Sequence, residues 1–127
     1  MVKVLKVIVA VPGVLFVAMG LRWLVDPAGM AAQLGMPLLD GLGRSTQISD
    51  LGAFFLVIGA MMLLGIFSQR REWFLAPAML LGCAAIFRLL SWLLHDAALA
   101  IPQLAVEVVV AGVLLFAASR AGRQVSR

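Results

Sequence analysis

Cysteine is nearly absent from this chain of 127 residues: Cys83 is the only one. An intramolecular disulfide is therefore excluded, and nothing about redox compartment follows from it. Histidine is as scarce. His95 stands alone, so the sequence offers no dedicated metal cage and no metal ligands are assigned. There is no CxxC, no HExxH and no glycine-rich phosphate loop, so no cofactor is expected from motifs. Charge is the third shortage. Only 13% of residues are charged, against about a quarter in a soluble domain.

What fills the space is apolar. Hydrophobic residues make up 64% of the chain and the mean hydropathy is +1.11, whereas a soluble domain is about 45 to 50% apolar. So small a globule cannot bury that excess, and most of it must face lipid. The net charge of +4 is no nucleic-acid signal, because the lysines and arginines sit at the ends of apolar runs as topology signals. The length allows one domain, residues 1–127, with no separate soluble module.

Four apolar runs each approach the roughly 20 residues that a spanning helix needs. They cover about 7–25, 48–67, 73–94 and 102–119. The expected fold class is all-α: an integral membrane four-helix bundle. The first run outlasts a signal-peptide core and no small-x-small cleavage site follows it, so it reads as a true helix. Pro12-Gly13 marks a place where it can kink. Lys3, Lys6, Arg70, Arg71, Arg120, Arg123 and Arg127 fall on one side of the four runs, Arg22 and Arg44 on the other. Seven against two places both termini in the cytoplasm.

The connection from Asp26 to Gln47 is the only long one. Met30, Leu34 and Met36-Pro37-Leu38-Leu39 within it suit either a short amphipathic helix on the outer surface or a mobile apolar loop. Such a segment is also placed to lid a cavity between the helices. Gly13/Gly20 and Gly52/Gly59, with Ala53/Ala60 alongside, recur at i, i+7 and imply close helix packing, within the bundle or at a dimer face. Met61, Met62 and Met79 read as apolar filler, and Trp23 and Trp73 as interface anchors.

The most informative residue is Arg88, an arginine inside the third apolar run. An arginine near mid-bilayer costs roughly 2.5 to 3.5 kcal/mol on insertion scales, so it normally faces protein and has a partner. It lies about 9 Å from the outer end of its helix, and Glu107 about 7.5 Å into the fourth helix from the same side. Asp50 opens the second helix and Arg22 closes the first. Each helix thus brings one ionisable residue to a similar depth. Arg88 with Glu107 and Arg22 with Asp50 are the expected pairs, with Asp26 the alternative partner of Arg22. Arg88, Ser91, Trp92 and His95 share one helical face, expected to point into the bundle.

Two readings of this cluster follow. It is either structural glue that sets helix register, or a small polar-headed cavity. In the second case Arg88, Trp92, His95, Arg22, Asp26 and Ser91 would bind a lipid-like ligand. If the same pocket were an enzyme, Glu107 and Asp50 would be its acid and base, acting on a hydrophobic substrate by isomerisation or epoxide opening. A third reading is an accessory subunit of a larger membrane complex, or a homo-oligomer. A small multidrug exporter fits less well, since the first helix carries no glutamate.

Phe87-Arg88-Leu89-Leu90-Ser91, Leu104-Ala105-Val106-Glu107 and Ser49-Asp50-Leu51-Gly52-Ala53-Phe54-Phe55 resemble a bacterial family of small four-helix inner-membrane proteins, catalogued as a domain of unknown function. Gly20-Leu21-Arg22-Trp23, Asp26-Pro27 and Leu34-Gly35-Met36-Pro37 look like the DoxX-like group. The resemblance implies a four-helix bundle with Asp50, Arg88 and Glu107 as shared polar positions. It implies no reaction. Some DoxX-like proteins are linked to quinone or thiol redox systems, but the paired cysteines of a thiol system are missing here. More distantly, the layout is similar to sterol-isomerase and sterol-receptor bundles.

Overall fold

The computed structural model describes residues 1–125, with side chains as far as Gly122. Arg127 and the side chain of Arg123, both used in the orientation argument, lie outside the described residues. The fold is all-helical, in chain order α1 (Lys3–Val25), α2 (Pro27–Gln33), α3 (Gly41–Thr46), a π-helical turn (Gln47–Leu51), α4 (Gly52–Ser68), α5 (Glu72–His95) and α6 (Ile101–Val125). Four segments are long and apolar enough to cross a membrane: Lys3–Val25, Gly41–Ser68, Glu72–His95 and Ile101–Gly122. Three match the expected runs within a few residues. The second starts earlier, because α3 and the π-turn continue α4 toward the N-terminus without a break.

The helices pair by close approach. α1 packs chiefly on α4, and α5 on α6. Gly20 and Gly52 meet at one crossing, Gly13 and Gly59 at another. A Cβ on Gly20 would lie 2.6 Å from the Leu56 nitrogen, and one on Gly59 would lie 2.7 Å from the Val17 nitrogen. The i, i+7 glycines therefore let the α1 and α4 backbones touch inside the chain, the arrangement small residues permit. α1 runs through Pro12 as one continuous helix.

One core joins all four long helices at the end where α1 starts and α6 finishes. Leu5, Val9, Met62, Phe74, Leu114, Ala118 and Ala121 are buried together there. Lys3, Lys6, Arg70, Arg71 and Arg120 mark this basic end. Elsewhere large apolar side chains such as Val11, Val14, Met79, Phe87 and Val109 stay exposed. Met62 is core and Met79 is surface, while Met61 is half-buried.

The opposite end is closed by the long connection, which folds inward instead of lying on the surface. Met30 and Ala31 of α2 cover Trp23, and all three are fully buried. Trp23 is thus no interface anchor: the lid removes it from the surface. Trp73 remains half-buried. Asp26 starts α2 by accepting from the Gly29 amide at 3.1 Å, a side-chain cap for an otherwise orphan donor. Gly35, at φ 78°, turns the chain back. Gln47 then pins the returning segment: its Oε1 accepts from the Leu39 amide at 2.8 Å and its Nε2 donates to the Pro37 carbonyl at 3.1 Å.

Candidate functional site

Between the α1–α4 pair and the α5–α6 pair, beneath the lid, the bundle is not filled. A cavity of about 300 Å³ is lined by Phe16, Met19, Phe55 and Leu81 below, Gln33 and Leu34 from the lid, and Arg88, Gln103 and Glu107 at one side. A second chamber of about 550 Å³ shares Leu34, Phe54, Phe55, Arg88, Gln103 and Glu107 with it, and adds Met36, Asp50 and Ala84. The shared lining makes these two parts of one space. Its walls are apolar, with five polar side chains gathered toward the lid.

Arg88 and Glu107 form the pair expected from the sequence. The guanidinium Nε donates to Glu107 Oε1, joining α5 to α6. Glu107 is buried, whereas the Arg88 side chain keeps 38% of its surface exposed. A buried carboxylate needs such a partner, because burying an ion alone costs several kcal/mol even after relaxation. Gln103 lies four residues before Glu107 and so shares its helical face, one turn nearer the lid.

The second pair differs from expectation. Arg22 bonds Gln33 Oε1 at 2.6 Å and Asp26 Oδ2 at 3.4 Å, and does not reach Asp50. The expectation placed Asp50 in the first turn of a straight helix. In the structure Asp50 sits well inside a longer helix, on the π-turn, whose i→i+5 bonding inserts a residue and rotates the side chains around it. Asp50 instead lines the cavity, exposed and with no hydrogen-bond or ion-pair partner among the described residues. Arg22 and Asp26 lie behind the lining. Arg22 holds the oxygen of Gln33, so it is the amide nitrogen that is left for the cavity.

Of the polar face expected on α5, only Arg88 turns into the bundle. Ser91 bonds back to the Arg88 carbonyl at 3.0 Å, while Trp92 and His95 are exposed. The last buried residue of α5 is Ala85. Ser91, Trp92 and His95 line neither part of the cavity. Cys83 is exposed, and among the described residues no group of three His, Cys, Asp or Glu could hold a metal ion.

Sequence reasoning missed the glutamines. Gln103 carried a signal, its i, i+4 spacing from Glu107, but nothing local marked Gln33 or Gln47. No family model, curated protein or solved structure matches the chain.

Proposed function

We propose that this chain is a multi-pass membrane protein that binds an apolar, lipid-like molecule in the lidded cavity between its helix pairs. The observation that carries this reading is the cavity's composition: apolar walls with the Arg88–Glu107 pair, Asp50, Gln33 and Gln103 converging at one end. A few placed polar groups in an apolar cleft is the usual form of a small-molecule site. Four spans and their exposed apolar surface support insertion in a membrane. The clustering of Lys3, Lys6, Arg70, Arg71 and Arg120 at one end supports cytoplasmic termini. The bacterial inner membrane rests on the resemblance of the motifs around Asp50, Arg88 and Glu107, and kinship with the DoxX-like group on that of Gly20-Leu21-Arg22-Trp23, Asp26-Pro27 and Leu34-Gly35-Met36-Pro37.

The test is native mass spectrometry of the protein released from its own membrane. A retained apolar molecule is expected, and Val106→Trp, which puts bulk at a wall of the cavity that Val106 lines, should reduce its occupancy. Wild-type protein that carries nothing in mild detergent, and takes up nothing when lipid extract is added back, would overturn the reading.

A further inference from the structure

The charges around the cavity limit what its occupant's polar end can be. Three ionisable side chains line the space: Arg88, Glu107 and Asp50. Glu107 already accepts from the Arg88 Nε, so that positive charge is matched, and Asp50 adds a carboxylate without a partner among the described residues. The lining is acidic by one charge. An anionic head would compete with Glu107 for the guanidinium and would meet the like charge of Asp50, a repulsion that solvent at the exposed Asp50 weakens but does not remove.

A cationic head would suit Asp50 and fail elsewhere. The terminal guanidinium nitrogens of Arg88 have no partner among the described residues, and guanidinium can only donate. With its oxygen held by Arg22, Gln33 also offers its amide nitrogen, a donor. These groups call for an acceptor, which an ammonium lacks. Asp50 calls for a donor. A hydroxyl is both at once and carries no charge.

We propose that the cavity selects a lipid with an uncharged, hydroxyl-bearing head, and that Asp50 is the residue that excludes anionic ones. The assignment rests on the binding reading above and names its ligand class. Retinol, retinoate and retinylamine share one apolar body and differ in head charge, so they serve as probes. Their binding to the full chain in zwitterionic nanodiscs is read by energy transfer from tryptophan, referenced to empty nanodiscs; the buried cluster of Trp23, Met30 and Ala31 packs against Leu34 and Met36 of the cavity wall.

Retinol should bind about tenfold more tightly than either charged analogue. The Asp50→Asn variant should bring retinoate to within about threefold of retinol, measured as the ratio of the two affinities in that variant. Retinoate or retinylamine binding as well as retinol would overturn the head-group assignment and leave the binding cavity standing. An Asp50→Asn variant that still rejects retinoate as wild type does would overturn the role of Asp50. Binding of none of the three, together with no molecule retained from the native membrane, would remove the binding reading itself.

Discussion

Arg88 on α5 reaches Glu107 on α6 through its Nε, and the two ends of this pair are unequally buried: Glu107 almost completely, Arg88 only in part. That asymmetry sets what each deletion does. Arg88→Ala strands a buried carboxylate and should destabilise the fold by about 3 kcal/mol, the lower end of the range for breaking a buried pair. Glu107→Gln leaves a partly exposed guanidinium and should cost less. The double variant Arg88→Leu/Glu107→Leu should recover much of the loss, since well-packed apolar pairs replace such bridges at little cost. Reversible unfolding in mixed detergent micelles ranks these variants, and adding Arg88→Ala/Glu107→Gln closes the double-mutant cycle that measures the coupling.

The glycine crossings make a sharper contrast. Gly20→Ala places a methyl 2.6 Å from the Leu56 nitrogen and 2.8 Å from the Gly52 carbonyl oxygen. Those are backbone atoms, so the helices must separate, and the cost should fall in the about 1 to 3 kcal/mol of an overpacked core. Gly82 is the internal control. A Cβ there meets nothing within 4 Å, and Gly82→Ala should be neutral or stabilising by up to about 1 kcal/mol through helix propensity. Equal melting shifts for the two variants would refute the close α1–α4 approach.

Trp23 has no hydrogen bond on its buried indole nitrogen. Trp23→Phe therefore loses no hydrogen bond and only part of the buried volume, and should lower stability by about 1 to 2 kcal/mol. Trp23→Ala opens a void under α2 and should cost about 3 to 5 kcal/mol. Thermal unfolding followed by circular dichroism separates the two. A large loss in Trp23→Phe would mean that the indole nitrogen has a partner.

These tests probe features that were unequally legible in the sequence. Hydropathy located the four spans because a 20-residue apolar run has few other uses. Arg88 and Glu107 could be matched because depth from a helix end follows from rise per residue, and both helices are regular there. Arg22 and Asp50 could not, because that inference assumed regular geometry through Gln47–Leu51. The π-turn changes the direction of Asp50 without any mark in residue type. Trp92 and His95 failed for another reason. Periodicity says which residues share a face, and only the packing of other helices says whether that face is covered.

Two side chains hold the returning part of the lid, Arg44 at the surface through the Leu39 carbonyl and Gln47 from inside. Gln47 is buried and holds Pro37 and Leu39 through both ends of its amide, while Leu34 and Met36 from the same segment line the cavity. Gln47→Leu keeps the volume but leaves the Leu39 amide and the Pro37 carbonyl without their partner. Each lost bond is worth about 1 kcal/mol net, and an unsatisfied group costs more only while it stays buried. The lid has a cheaper escape, which is to lift and hydrate. The expected result is faster hydrogen exchange at Leu39, and proteolytic nicking within 34–40, with the melting of the four-helix core shifted little. A variant that melts early but shows no local exchange would place Gln47 in the core's stability instead of in the lid's closure.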